Sequence, residues 1–107
     1  MIRVIVKSDE QGPCSVQMNG HSGYAEEGSD IVCAAASVLI TTCVNAMERL
    51  AGVKPQVRQI AGAPFLSVSL PGGLEGEKAV QSRLLLEACL LGLRDVAEQY
   101  PKYIQIN

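Results

Sequence analysis

The sequence predicts an α+β fold: a two-layer sandwich in which a mostly antiparallel sheet carries two helices on one face, in the order ββαββαβ. Three observations predict it. Two pairs of short segments alternate apolar and polar side chains, each pair split by turn residues. Two long stretches instead repeat their apolar residues at helical spacing, and a last short alternating run closes the chain.

In chain order, "IRVIVKS" and "CSVQMNG" flank "DEQGP", whose Asp, Gly and Pro favour a turn, so residues 2–19 read as a β-hairpin. The polar loop from Gly20 to Ser29 contains Gly20, Gly23 and Gly28; such a segment has little reason to hold one conformation without a partner and is expected to serve as a lid. From Ile31 to Leu50 the period becomes helical, with Val32, Ala36, Leu39, Cys43, Ala46 and Leu50 on the stripe expected to face the core. Gly52 closes this helix. "KPQVRQI" and "PFLSVSL" then form a second hairpin around "AGA", and "PGG" interrupts again. Residues 77–99 form the second helix, with Val80, Leu84, Leu91 and Val96 expected inward, and "PKYIQIN" supplies a short strand after Pro101.

With 107 residues and 48% hydrophobic composition, the chain can build one packed core, so residues 1–107 read as a single domain. Acidic residues outnumber basic ones, 11 to 9, and the Lys and Arg are scattered along the chain. No broad positive surface is evident, and no direct nucleic-acid partner is expected. The opening "MIRVIVKSDE" reaches charged residues before a signal-peptide apolar region develops, which makes the cytoplasm the expected location. Ile31 to Met47 carries no formal charge and approaches the length of a membrane span. It nevertheless contains Ser37, Thr41, Thr42 and Asn45 and runs into Glu48 and Arg49, so a buried helix is expected and no membrane partner. In a reducing compartment the four cysteines, Cys14, Cys33, Cys43 and Cys89, are expected as free thiols. Cys14, His21 and Cys33 lack the close C-x-x-C pairing usual for zinc, so neither a metal nor another cofactor is expected.

The chemistry concentrates in "NGHSGYAEEGSDIVCAAASVL", residues 19–39, which holds the single histidine, His21, and twelve positions later Cys33. If Asp30 or Ser29 caps the helix, Cys33 lies in its first turn, where free backbone N–H groups and the positive end of the helix dipole favour an anion. A free thiol titrates near about 8.5, and such a setting, or an imidazolium neighbour, brings the thiolate within reach of neutral pH. A loop of this length lets His21 fold back to become that neighbour. The plainer alternative treats a cysteine among Ala and Val as a small buried hydrophobe, and Cys43 and Cys89 are read that way. Ser37, one turn below Cys33, is either a hydrogen-bond partner of the thiol or an ordinary helix-face serine. Asp30 is read as a helix cap that also has the chemistry to orient His21. Glu26 and Glu27 are read as solvated, with guidance of a basic peptide as the alternative.

These residues, with the closing "AEQYPKYIQIN", resemble the ribosomal-processing cysteine protease family, Prp, over essentially the whole chain. The resemblance rests on the G-H pair, the Gly-containing loop and the D-I-V-C-A-A helix start. It implies a catalytic dyad of His21 and Cys33, supporting roles for Asp30 and Ser37, and a substrate loop containing Gly20, Ser22, Gly23, Glu26, Glu27 and Gly28. It also implies a small cytoplasmic homodimer that removes an N-terminal extension from large ribosomal subunit protein twenty-seven. Ser22 replaces a common Ala, and Ala36 a larger apolar residue. In the mechanism so implied, His21 moves the proton, Cys33 attacks the scissile carbonyl, and backbone N–H groups at the helix start, including that of Cys33, stabilise the oxyanion. Ile40 and Val44, off the expected core stripe, are the apolar surface a second copy would cover. Two other functions compete: a thiol redox switch, which wants a resolving cysteine nearby, and a non-catalytic module that binds a ribosomal protein or assembly factor.

Overall fold

Strand and helix follow one another in the computed structural model, which describes residues 1–21, 23, 25, 30–60 and 64–107, as β1 (Ile2–Asp9), β2 (Gly12–Asn19), α1 (Ile31–Leu50), β3 (Gln56–Gln59), β4 (Phe65–Ser69), α2 (Gly76–Gln99) and β5 (Ile104–Ile106). This is the expected ββαββαβ order. The strands form one sheet in the order β3-β4-β2-β1-β5. Every pairing is antiparallel except β1 with β5, where Ile2 and Val4 lie opposite Ile104 and Ile106. That single parallel pair makes the sheet mixed. It follows from the long return through α2, which brings β5 in beside β1 with the same direction. The turn expected at 61–63 lies outside the described residues.

Alternation decides which face is covered. Val4 and Val6 lie opposite Met18 and Val16, and Val16 and Met18 lie opposite Val68 and Leu66. Ile2, Val4, Val16, Met18, Leu66, Val68 and Ile104 are therefore buried on one face, and Val32, Ala36, Ile40, Cys43 and Met47 of α1 and Leu86, Cys89, Leu90 and Leu93 of α2 pack onto them in one core. Both helices occupy that face, as the sequence predicts. α1 is long and apolar enough to span a membrane by length and composition alone, and here its apolar stripe is part of this core.

The rotational settings of both helices differ from expectation. On α1 the buried line runs Val32, Ala36, Ile40, Cys43, Met47, whereas Leu39 and Ala46 are half-buried and Leu50 is 76% exposed. Leu39 turns toward the neighbouring helix instead: a Cβ placed on Gly92 of α2 would come within 2.6 Å of its Cδ2. Ile40 is fully buried and Val44 packs against the core, so the two residues expected to cover a second copy are used within the fold. On α2, Val80, Leu84 and Leu91 are 70%, 64% and 62% exposed, and only Val96 of the expected set meets the core. The buried line begins at Ser82, whose hydroxyl donates to the Lys78 carbonyl at 2.6 Å. A serine satisfied within its own helix can occupy a core position, and that polarity hides the face from an apolar pattern.

Chain ends and turns are closed by specific groups. Gly52, with φ +65, follows α1 in the left-handed conformation that favours glycine, and the Val53 N–H returns to the Met47 carbonyl at 2.9 Å. Arg83 of α2 ties down the first hairpin, donating to the Gly12 and Pro13 carbonyls at 3.0 and 2.8 Å and to both carboxylate oxygens of Asp9. Cys43 and Cys89 sit in the core, with Cys43 Sγ 3.7 Å from the Leu85 carbonyl oxygen. The Cys89 thiol is pushed far above the ordinary thiol range by its hydrogen bond with Cys43 and then by burial. Both side chains are buried among the core residues, as expected of small apolar groups.

Candidate active site

Asp30 fixes the start of α1. Its backbone is extended, and its Oδ1 accepts from the N–H groups of Val32 and Cys33, both at 3.0 Å. A short acceptor at this position satisfies donors that the helix itself leaves unpaired. The other carboxylate oxygen accepts from Cys33 Sγ at 3.3 Å. Asp30 is thus the cap the sequence predicts and also a direct partner of the thiol, a role for which the sequence offers His21 and, as one of two alternatives, Ser37. The backbone N–H groups expected as oxyanion donors are engaged at the helix start. The Cys33 N–H and its neighbour at Val32 are held by Asp30, and the Ala34 N–H bonds the Asp30 carbonyl at 3.1 Å.

His21 follows directly on β2, and its position is set by Gly20. The Gly20 N–H donates to the Pro64 carbonyl at 2.8 Å, and φ is +89. A Cβ there would lie 2.6 Å from the Met1 carbonyl oxygen, so only glycine passes between the chain start and β4. Exposed His21 and half-buried Cys33 both line one cavity of about 670 Å³, lined as well by Asp30, Ser37, Gly20 and Gly23. The structure thereby gathers six of the residues singled out from sequence. The other four, Ser22, Glu26, Glu27 and Gly28, lie outside the described residues, as does most of the expected lid.

Cys33, Ser37 and Thr41 form one wall of the cavity along successive turns of α1, and the opposite side is built by Gln59 of β3 and by Pro64, Phe65 and Leu66 around the start of β4. Sequence reasoning missed Thr41, Gln59 and this β4 wall. Thr41 was within reach, since Cys33, Ser37 and Thr41 make a polar line at intervals of four on an otherwise apolar helix. The strand residues carry no such mark, because only the sheet order brings them here. A second cavity, of about 690 Å³, opens at the other end of the sheet beside Lys7, Cys14, Ser69 and Arg83. It is marginally larger, but the chain's single histidine is not in it. Cys14 is therefore remote from the pair with which a zinc site was weighed.

A two-layer α+β fold that presents a cysteine from a capped helix start, with an imidazole on the same cavity, has the groups that thiol-based nucleophilic catalysis uses. The chain belongs to the family described as cysteine protease Prp, whose model matches residues 1–105. It is 28% identical over 103 residues to the ribosomal processing cysteine protease Prp of Bacillus subtilis (strain 168), covering 96% of this chain and 92% of that one. It is 30% identical over 109 residues to the protein of the same name from Staphylococcus aureus (strain Mu50 / ATCC 700699), covering 100% and 98%. Among solved structures, it matches the essential ribosomal processing protease Prp from S. aureus in complex with a covalently linked product peptide, with TM-score 0.89 and 28% identity over 100% of this chain and 98% of that one. The same S. aureus protease with a substrate peptide matches with TM-score 0.83 and 27% identity, covering 100% and 98%. SMU.848 from Streptococcus mutans matches with TM-score 0.84 and 32% identity, covering 100% and 92%.

Proposed function

We propose that this chain is a cysteine endopeptidase that removes the N-terminal extension of large ribosomal subunit protein twenty-seven in the cytoplasm, with Cys33 as nucleophile and His21 as its acid and base. The observation that carries this reading is that Cys33, at a capped helix start, and the chain's single histidine line the same cavity. The ribosomal processing named for its relatives, and the substrate and product peptides held by the S. aureus protease, support a peptide substrate from a ribosomal protein.

In this mechanism His21 takes the Cys33 proton as the sulfur attacks the scissile carbonyl carbon. The tetrahedral intermediate collapses, the C–N bond breaks, and His21 returns the proton to the leaving amine. His21 then deprotonates a water that attacks the thioester; the carboxylate product departs and the thiol recovers its proton. Before attack, Asp30 Oδ2 orients the sulfur at 3.3 Å. Oxyanion stabilisation needs preorganised donors, and those at the helix start become available when Asp30 yields the Val32 or Cys33 N–H to the substrate oxygen. A redox switch would want a second thiol at the cavity. Among the described residues, Cys14 lines the opposite cavity and Cys43 and Cys89 lie in the core.

The test is cleavage of a synthetic peptide spanning the extension junction. Cys33→Ala and Cys33→Ser are expected to give no product, and His21→Ala to lower kcat by about a hundred- to ten-thousandfold. Undiminished turnover by Cys33→Ala would remove the nucleophile assignment. Binding without cleavage by the parent protein would instead favour a ribosomal-protein-binding module.

A further inference from the structure

The sheet has two edges, and they differ. β5 is three residues long and lies at the far side of the sheet from the candidate active site. Just beyond it, the Asn107 side chain pairs with both backbone groups of Val6, accepting from its N–H at 2.7 Å and donating to its carbonyl at 3.3 Å. β3 is the other edge. All four of its residues, Gln56–Gln59, are exposed, and it contains neither the Pro nor the Lys that commonly blunts an open edge. Its last residue, Gln59, lines the cavity that holds Cys33 and His21.

From Cys33 to Thr41 the α1 wall of the cavity rises roughly 12 Å at 1.5 Å per residue. From Gln59 at the cavity, the four residues of β3 lead back roughly 13 Å along the sheet edge. Val57 lies opposite fully buried Val68 and shares its face of the sheet, yet is 44% exposed, and among the described residues no strand lies beyond β3. A cavity walled by a helix and continued through Gln59 into an exposed strand edge, with an apolar side chain on that edge, has the hydrogen-bonding groups for an extended chain.

We propose that the substrate peptide docks as a sixth strand on the free edge of β3, its scissile end delivered past Gln59 to Cys33. Backbone hydrogen bonds to β3 then supply grip that is independent of side-chain identity. Alternate substrate side chains face the Val57 side of the strand edge, so specificity in this segment reads every second residue and favours apolar ones there. The preferred segment is extended and free of proline at positions whose N–H pairs with β3.

This rests on the peptidase reading, and the test separates the two. Backbone N-methylation is scanned along the junction peptide, and binding to the Cys33→Ala protein is measured by fluorescence anisotropy, beside cleavage of the unmethylated peptide by the parent protein. Each methyl group on a pairing amide is expected to weaken binding about two- to tenfold, with a period of two along the peptide, because one hydrogen bond is lost and the methyl group obstructs the edge. Amide hydrogen exchange in Gln56–Gln59 is expected to slow in the complex at alternate residues. Cleavage with no alternation in the scan and unchanged exchange at β3 would overturn the docking mode while leaving the peptidase. Alternating loss of binding with no cleavage by the parent protein would uphold the docking mode and overturn the peptidase. A peptide that is neither bound nor cut would overturn both.

Discussion

Asp30 commits one carboxylate oxygen to the helix start and the other to the Cys33 thiol, so substitution can separate the two contributions. Asp30→Ala removes both and is expected to cost about 1 kcal/mol in urea unfolding, the usual loss for a helix cap. Asp30→Asn keeps an oxygen for the backbone N–H groups, and asparagine caps about as well as aspartate. It is expected to retain stability within about 0.5 kcal/mol while lowering kcat about tenfold, since the sulfur loses its charged acceptor and a displaced reacting atom is costly. Equal kcat in Asp30→Asn would confine Asp30 to the cap. At this scale the sequence was readable where the chemistry is local: a capping residue three positions before Cys33 fixes the first turn from the pattern alone. The S–H···O contact was not readable, because it depends on the side-chain rotamers of both residues.

Arg83 shows how one α2 side chain secures a hairpin that precedes it by some seventy positions. Arg83→Ala is expected to cost about 2 kcal/mol, from hydrogen bonds made by a charged donor to carbonyls that then lose their partner. Its exposed ion pair with Asp9 makes a smaller, pH-dependent contribution. The Asp9 carboxyl is held below its ordinary range by the Gln11 backbone N–H and then by Arg83. A depressed folded-state value means that this stabilisation is fully present above the ordinary aspartate pKa, about 3.9, and is lost as pH falls through the lower folded value. Asp9→Asn should therefore be less stable than the parent at pH 7, and the difference should shrink in thermal unfolding as pH falls below the ordinary aspartate value. A constant difference across that range would place the effect in the turn geometry rather than the charge. The elements themselves were legible, because changes of period and turn residues mark both helices and both hairpins. Their rotation was not. α2 carries two apolar stripes, and the one that begins with buried Ser82 lies inward while Val80, Leu84 and Leu91 face out. Nothing local to the helix says which of the two meets the sheet.

At the scale of the whole molecule, the exposed line of Val80, Leu84 and Leu91 replaces Ile40 and Val44 as the apolar surface available to a second copy. Large side chains at spacings of four and seven share one helix face, and such a stripe is suited to pair with its own symmetry mate. Light scattering is expected to give a dimer mass at micromolar concentration, and Leu84→Glu a monomer mass with unchanged far-UV circular dichroism. A monomer in the parent protein would overturn the homodimer that the family resemblance implies. Sheet order and the cavity shared by α1 and β3 were beyond sequence reasoning, since both follow from pairings between segments distant in the chain. The position of Gly20 carries a consequence of the same kind. Its fit against the Met1 carbonyl and its bond to Pro64 mean that the neighbouring imidazole is placed only after residues 1, 20 and 64 have met. The bonds between Asp30 and Cys33, by contrast, span three positions at the helix start. In the proposed mechanism, the bonds that orient the nucleophile are therefore local in the chain while the contacts that place the proton carrier are not, and proteolytic competence arrives only when the tertiary structure closes.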